Sequence, residues 1–233
     1  MILHRRAVWF LYFVVAAFCF AVGTLAELYR RTIERQAAEH EQRKAELALY
    51  KVQINPHFLF NTLNTLYGLM LTDVARAETA FMQFMDMTKY MYTNADKDRV
   101  PLRSEIDYIR QYIELQKNRM NDHTRVHLSI ESRNGCPDAM IAPMILITFV
   151  ENAFKYGVSA HQESDIFIGI ETDGDNLHFA TRNPVIVRPA GEQSGFGIAN
   201  CRKRLELLYP GHYTLTIRQE ENEYRVTLDI KLH

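Results

Sequence analysis

The hydrophobic periodicity of this chain changes near Thr124, and this change constrains the fold more than any other feature. Before it, apolar residues recur every three or four positions, which predicts helices. After it, they alternate with polar residues in RVHLSIES, DIFIGIETDGDNLHFAT and HYTLTIRQEENEYRVTLDIKL, which predicts short strands in antiparallel hairpins. Between the first two stretches, an apolar segment over residues 142–157 predicts a helix. We therefore expect helices first and then a mixed sheet covered on one face by helices, a two-layer α/β sandwich.

Charge and cysteine content exclude some classes of function. The 233 residues include 27 Lys and Arg against 28 Asp and Glu, and no basic stripe is interleaved with aromatic residues, so direct nucleic-acid binding is disfavoured. The three cysteines, Cys19, Cys136 and Cys201, lie far apart without CxxC spacing. Neither a disulfide framework nor a zinc site is therefore indicated, and a reducing compartment is expected.

Residues 8–26, VWFLYFVVAAFCFAVGTLA, contain no charged side chain. A helix of this length nearly crosses a bilayer, and Trp9 and Tyr29 suit the two interfaces. A signal peptide stays open as the alternative, since Arg5 and Arg6 precede the run and TLA ends it. We predict one transmembrane helix over residues 8–26, with a short flank over residues 1–7.

A helical linker is predicted over residues 27–46. The segment is rich in Ala, Glu, Lys, Arg and Gln and contains neither Gly nor Pro, which favours a continuous helix. Its apolar residues form only a poor heptad. A single solvated helix and a loose parallel dimer therefore both stay open.

The stretch QINPHFLFNTLN places His57 directly after a proline on a partly apolar helix. Pro56 is expected to bend the helix, and Asn61 lies four residues on, where it can hydrogen-bond one imidazole nitrogen and leave the other as a nucleophile. The spacing alone also fits a buried structural histidine. Further helices are predicted over residues 75–95 and 100–120, the latter with a capping box from Ser104 to Asp107.

Two later stretches suit a phosphate-bearing ligand. Within ENAFKYG, the polar residues Glu151, Asn152 and Lys155 interrupt an apolar helix and need partners, which either core groups or a Mg²⁺–phosphate ligand could supply. In SGFGIANCRKRL, Gly195 and Gly197 precede a helix, where backbone N–H groups can approach an anion. A plain turn before a packing helix is the competing interpretation of these glycines.

Taken together, the three strings resemble the LytS/YehU-type sensor histidine kinases. QINPHFLFNTLN resembles their phosphoacceptor motif, which implies that His57 accepts the γ-phosphoryl group of ATP and that Asn61 orients it. ENAFKYG resembles the N box of the GHKL (Bergerat) ATP-binding fold. That match implies nucleotide-binding roles for Glu151, Asn152 and Lys155, with Asn152 holding Mg²⁺.

The glycine-rich string resembles the second ATP motif of the same fold, G-x-G-x-x-N-x-x-x-R-L. The match implies that residues 184–194 form a mobile lid and assigns the nucleotide to Gly195, Gly197, Asn200 and Arg204. One departure concerns the adenine site, because the family's Asp-x-Gly is replaced by Asn183-Pro184-Val185. Asn183 is the nearest residue that can accept a hydrogen bond from the adenine amino group.

The resemblance implies an ATP-dependent protein-histidine kinase that works as a homodimer. It implies phosphoacceptor and dimerisation helices over residues 47–121 and a GHKL-type catalytic domain over residues 122–233. The partner would be an aspartate of a response regulator, expected to be of the LytTR type, and the chain would sit in the bacterial inner membrane with its catalytic part in the cytoplasm. Two alternatives stay open, namely a non-catalytic family member that binds nucleotide or a partner, and a membrane-tethered helical scaffold.

Overall fold

The computed structural model describes residues 20, 23–25, 27–36, 56–94, 96–120, 123–133, 139–159, 162–186 and 196–232. The chain divides into two compact units, Met1–Leu49 and Tyr50–His233. In the first unit, residues 27–36 form a helix, α1, in agreement with the predicted linker. Its first turn carries ion pairs from Glu27 to Arg30 and Arg31, at 3.1 and 2.8 Å.

No helix in the described part of the chain is long and apolar enough to cross a membrane. Of the predicted span over residues 8–26, only residue 20 and residues 23–25 belong to that part, and they are helical. Residues 37–46 of the predicted linker also lie outside it. The transmembrane helix therefore stays a prediction.

The second unit begins with a helical hairpin and a third helix. Helices α2 (Pro56–Thr72) and α3 (Val74–Asn94) are separated by Asp73, whose carboxylate accepts a hydrogen bond from the backbone N–H of Arg76 at 3.0 Å. Helix α4 (Leu102–Lys117) follows. The predicted helix over residues 75–95 is α3, displaced by one residue. The hairpin buries Phe58, Leu66, Ala77, Ala80, Phe84 and Met87.

The predicted capping box at Ser104 is wrong. Helix α4 begins at Leu102, its N-cap is Pro101, and no side chain caps it. The chain enters this helix from a two-residue strand, β1 (Val100–Pro101), which pairs antiparallel with β3 (Met140–Ile141). The backbone N–H of Leu102 donates to the Ala139 carbonyl at 2.7 Å. A backbone carbonyl of a distant segment therefore satisfies one of the N–H groups that have no partner within the helix.

The main sheet has five strands in the order β2-β4-β5-β7-β6. Only the β2–β4 pair is parallel, since a helix lies between these strands in the chain; the other pairs are antiparallel. Gly174, at φ 54°, supplies the left-handed conformation in the β4–β5 turn. The presence of parallel and antiparallel pairs in one sheet confirms the predicted mixed sheet. Its strands are β2 (Thr124–Arg133), β4 (Ser164–Asp173), β5 (Asn176–Pro184), β6 (Tyr213–Gln219) and β7 (Glu223–Lys231).

Helix α5 (Leu146–Gly157) packs on β4 and β5, and helix α6 (Phe196–Leu208) packs on α5. The expected start of α5 at residue 142 is wrong by four residues. Pro143 lacks a backbone N–H, and Met144 has φ 61°, so the chain turns before it becomes helical. The core between helices and sheet includes Phe149, Ile166, Phe179 and Leu228, each with no exposed surface.

Candidate nucleotide-binding site and phosphoacceptor helix

Helix α5 carries the three polar residues of the N-box string on its less buried side. Glu151, Asn152 and Lys155 are partly buried, whereas Phe149 and Phe154 face the core. The Lys155 ammonium group lies 5.2 Å from the centre of the Tyr156 ring. Glu151 raises the pKa values of Tyr108 and Tyr112 as a secondary effect, behind their burial, so its carboxylate lies close to α4. On this helix, Lys155 therefore lies beside an aromatic ring, and Glu151 lies close to α4.

The carboxyl end of α5 approaches the sheet at Asn183. A Cβ atom added to Gly157 would lie 2.8 Å from the Cβ of Asn183 and 3.2 Å from Cγ1 of Ile166. Real Cβ atoms do not approach this closely, so only glycine permits the contact. Sequence reasoning gave Gly157 no role of its own, although a glycine directly after the N-box polar residues was a visible signal.

Asn183 offers one unpartnered acceptor. Its side chain is 1% exposed, and its Nδ2 donates to the carbonyl of Pro184 at 2.9 Å. This bond fixes the amide orientation, because a carbonyl can only accept. The Oδ1 atom is buried and has no hydrogen-bond partner. Leaving such an acceptor unpaired costs about 1–3 kcal/mol, so the position suits a ligand that donates a hydrogen bond.

Arg204, predicted to contact the nucleotide, is 6% exposed, and its Nη2 donates to the carbonyl of Pro143 at 2.6 Å. Three residues earlier in α6, Cys201 contacts the Ile145 carbonyl with Sγ at 3.8 Å. The Tyr209 hydroxyl, just past that helix, accepts from the Ala142 N–H at 2.7 Å. The helix after the glycine-rich string therefore holds the loop that starts the N-box helix.

Glu105 of α4 also holds this loop, and sequence reasoning missed it. Its Oε1 accepts from the Tyr90 hydroxyl at 2.8 Å and from the Met144 N–H at 3.0 Å. Burial raises the pKa of this carboxyl to about 6, although both hydrogen bonds oppose the shift. The signal was present in the sequence, since Glu105 lies four residues before Ile109 on the apolar face of α4.

The predicted phosphate-binding turn is only partly described. Gly197 is exposed in the first turn of α6, and a Cβ atom there would lie 3.7 Å from Cγ2 of Thr148, an ordinary contact. Asn200 is partly buried. Gly195 lies outside the described residues, as do residues 187–194 of the predicted lid. The nucleotide-binding roles of these residues stay predictions.

The predicted phosphoacceptor lies in the first turn of α2, where the backbone of His57 is helical. The side chain of His57 lies outside the description, so its proposed hydrogen bond to the partly buried Asn61 stays a prediction. The next residue, Phe58, is 6% exposed, and its ring centre lies 5.3 Å from that of Tyr112. Tyr112 in turn meets Phe154 edge-on at 5.4 Å. A chain of three rings thus joins the phosphoacceptor turn to the N-box helix.

Comparison with known proteins adds independent findings. The family profile described as "Histidine kinase" matches residues 45–124. The sensor protein LytS of Staphylococcus saprophyticus is 25% identical over 226 residues, covering 90% of this chain and 38% of that protein. The sensor histidine kinase BtsS of Escherichia coli K12 is 28% identical over 218 residues, covering 88% and 38%.

Among solved structures, the blue-light activated histidine kinase EL346 of Erythrobacter litoralis aligns with a TM-score of 0.45 at 13% identity, over 85% of this chain and 59% of that one. The chain spans about 38% of the length of the curated relatives named above. Within that span, the phosphoacceptor string falls inside the matched family segment. The resemblance that the motifs indicated is confirmed, since the chain is similar to LytS and BtsS over most of its length.

Proposed function

We propose that this chain is an ATP-dependent protein-histidine kinase of a two-component system. In this proposal the GHKL-type domain binds Mg²⁺–ATP, His57 takes the γ-phosphoryl group, and the group then passes to an aspartate of a response regulator of the LytTR type. The relationship to LytS and BtsS supports the proposal. The observation that carries nucleotide binding is the buried, unpartnered Oδ1 of Asn183 beside the N-box helix.

Asn183 would distinguish adenine from guanine. Its Nδ2 donates one hydrogen to the Pro184 carbonyl, and its Oδ1 is the side-chain atom left without a partner. The 6-amino group of adenine donates to such an acceptor, whereas the 6-oxo group of guanine would place two acceptors against each other. Asn183 carries no charge, so this hydrogen bond is weaker than one to a carboxylate would be.

The chemistry at His57 needs no carboxylate base. An imidazole with an ordinary pKa near 6.5 is mostly neutral at neutral pH, and its free nitrogen can attack directly. The new bond joins that nitrogen to the γ-phosphorus, the bond to the β–γ bridging oxygen breaks, and ADP leaves. Asn61 would hold the other nitrogen. Mg²⁺ on the Asn152 carbonyl would neutralise phosphate charge, and Lys155 would meet a phosphate as a point charge.

Assembly and location complete the proposal. A homodimer would form through the α2–α3 hairpin, and the transmembrane helix over residues 8–26 would hold the kinase at the bacterial inner membrane with its catalytic part in the cytoplasm. The exposed apolar side chains of the hairpin support the dimer, since large contiguous apolar patches mark interaction surfaces. These side chains are Phe60, Leu63, Tyr67, Met70, Leu71, Val74, Phe81, Met82, Met85 and Tyr92.

Nucleotide binding tests the proposed site directly. We expect the full chain to bind Mg²⁺–ATP and to bind Mg²⁺–GTP at least ten-fold more weakly, as titrated by equilibrium dialysis. Asn183→Leu keeps the branching at Cγ but removes the acceptor, and it should weaken ATP binding about ten-fold, an effect of about 1.4 kcal/mol.

Thr172→Val is the matched control. It removes the hydroxyl of Thr172, a residue that is 9% exposed at the other end of the sheet and donates to Ser132 at 3.2 Å. This variant should bind ATP as the parent chain does. If the parent chain shows equal affinity for ATP and GTP, or if both variants lose ATP affinity equally, the assignment of Asn183 to the base is overturned.

A further inference from the structure

One carboxylate oxygen joins the helical hairpin to the sandwich. Oε1 of Glu105 in α4 accepts two hydrogen bonds, from the Tyr90 hydroxyl at 2.8 Å and from the backbone N–H of Met144 at 3.0 Å. Tyr90 belongs to α3 of the hairpin, and Met144 belongs to the loop that precedes the N-box helix. Glu105 has no exposed surface, so water does not compete for these bonds. A shift of α3 against this loop would therefore break or lengthen one of the two bonds.

The loop over residues 142–145 has a backbone that depends on such outside partners. Met144 has φ 61°, in the left-handed region, which is costly for a residue with a side chain. Such conformations persist only where the surrounding structure holds them. The N-box helix that follows has Ile145 as its N-cap and no side-chain cap. The start of this helix is therefore set by the groups that hold Met144 and its neighbours.

The peptide group between Pro143 and Met144 is held at both ends. Its carbonyl accepts from Nη2 of Arg204 in α6 at 2.6 Å, and its N–H donates to Glu105 in α4 at 3.0 Å. The peptide group is trans, so its C=O and N–H point in opposite directions. A rotation of this peptide group would relax the φ angle of Met144, but it would break both hydrogen bonds at once.

The two side chains that hold the peptide group are themselves incompletely bonded. Oε2 of Glu105 and Nε of Arg204 are buried and have no hydrogen-bond partner in the described part of the chain. Unpaired buried polar atoms raise the free energy of an arrangement, so losing the bonds to the loop would add to a cost already present. Arg204 belongs to the helix after the glycine-rich string, whereas Glu105 reaches the hairpin through Tyr90. The held peptide group therefore connects the hairpin with the nucleotide side of the sandwich.

We infer that Glu105 is a positioning residue that couples the phosphoacceptor hairpin to the nucleotide-binding domain. Together with Arg204 it clamps the Pro143–Met144 peptide group, and through Tyr90 it ties that group to α3. When α3 shifts away, the clamp opens at Glu105, the peptide group rotates, and the start of the N-box helix moves. The inference rests on the proposed function and names a residue outside the three motif strings.

Hydrogen exchange of the full chain with and without Mg²⁺–ADP tests the coupling, since ADP occupies the site without a γ-phosphoryl group to transfer. Coupling is reciprocal, so an opening of the hairpin that disturbs the nucleotide site must be suppressed by bound nucleotide. In the parent chain, saturating Mg²⁺–ADP should slow amide exchange around Tyr90 about ten-fold, within the range typical of coupled sites. In Tyr90→Phe, which removes only the hydroxyl, saturating Mg²⁺–ADP should slow it less than about two-fold.

Tyr108→Phe is the matched control. Tyr108 of α4 is 3% exposed and stacks on Tyr90 with ring centres 5.1 Å apart, but Glu105 accepts its hydrogen bonds from Tyr90 and Met144. This variant removes the same atom from the same stack and should keep the slowing seen in the parent chain. A merely structural role of the tyrosine pair would change exchange equally with and without nucleotide.

A second pair of variants addresses Glu105 itself. Glu105→Gln keeps an oxygen that can accept from both donors and should keep the slowing, whereas Glu105→Leu should lose it. Tyr90→Phe decides the test if Glu105→Leu does not fold. A Tyr90→Phe chain whose exchange slows as much as that of the parent, or a Tyr108→Phe chain that loses the slowing equally, would overturn the inference.

The failure of the proposed function has a separate signature. A parent chain that binds neither Mg²⁺–ATP nor Mg²⁺–ADP removes the proposed function and the inference with it. A parent chain that binds Mg²⁺–ADP without any change in the exchange of α3 removes the inference alone.

Discussion

The helical hairpin and the α/β sandwich of this chain treat their apolar side chains differently. In α2 and α3, ten large apolar side chains are exposed by 47–72%, among them Phe60, Tyr67 and Leu71. Across the described residues from 96 to 232, no large apolar side chain is exposed to that extent. Among the described residues, the sandwich therefore buries its own large apolar side chains, whereas the hairpin has a second apolar face that no described residue covers.

Because of this difference, substitutions in the sandwich should be measured by their effect on unfolding, and substitutions in the hairpin by their effect on assembly. Replacing a buried side chain of the sandwich removes contacts and opens a cavity, so it changes the free energy of unfolding. Replacing an exposed apolar side chain of the hairpin removes little from the protomer. Its effect should appear in assembly, because that is where such a face would be covered.

The largest expected effect comes from a matched pair of phenylalanines. Phe149 has no exposed surface in the sandwich, whereas Phe60 is 68% exposed on the hairpin. Phe149→Ala should lower the free energy of unfolding by about 3–5 kcal/mol, and Phe60→Ala by less than about 1 kcal/mol. Urea unfolding of the full chain at a concentration where it is monomeric measures both. Equal losses of unfolding free energy in the two variants would contradict the proposed difference between the two regions.

The approach of α5 to the sheet gives the next effect. In Gly157→Ala the new methyl group meets the Cβ of Asn183 at 2.8 Å, so helix or strand must shift, at a cost of about 1–3 kcal/mol in unfolding free energy. Gly169→Ala is the control, since nothing lies within 4 Å of a Cβ atom there. Its unfolding free energy should equal or slightly exceed that of the parent. ATP binding should weaken only in Gly157→Ala, because Asn183 moves.

The junction between hairpin and sandwich should respond to pH through Glu105. The folded state raises the pKa of this carboxyl from 4.5 to about 6, so it binds the proton more tightly than the unfolded chain does. The stability that the proton confers is full below pH 4.5 and is lost as pH rises through 6, by up to about 2 kcal/mol. Glu105→Gln should remove this part of the pH dependence, as measured by urea midpoints from pH 4.5 to 7.

Glu114→Gln is the control on the same helix, where an exposed carboxylate pairs with Lys117 at 2.7 Å. This variant should keep the pH profile of the parent chain. A Glu105→Gln profile that is parallel to that of the parent would show that the Glu105 carboxyl titrates alike in the folded and unfolded states.

The smallest expected effect concerns the exposed apolar face of the hairpin. Leu71 is 70% exposed at the end of α2, and Leu71→Glu should raise the dissociation constant of the dimer about ten-fold, or about 1.4 kcal/mol, without moving the unfolding midpoint of the monomer. Sedimentation equilibrium measures it. Thr214→Glu adds the same charge on the exposed side of strand β6 and should leave the dimer unchanged. Equal weakening in both variants would point to net charge rather than to the apolar face.

Periodicity was enough to predict the mixed sheet and helix α3, because each follows from a repeating pattern of burial. It misplaced the starts of α4 and α5, since those starts are set by contacts between distant segments. The Leu102 N–H bonds to Ala139, and the loop before α5 is held by Glu105 and Arg204.

The most direct test of the central claim is transfer of label from γ-labelled ATP to His57. The full chain is incubated with labelled ATP and Mg²⁺ beside His57→Gln and beside His127→Gln, an exposed histidine that pairs with Asp165 at 2.8 Å. We predict acid-labile, alkali-stable label on the parent chain and on His127→Gln, and none on His57→Gln. A parent chain that binds ATP but never takes up label, or a His57→Gln variant that keeps it, would contradict the account.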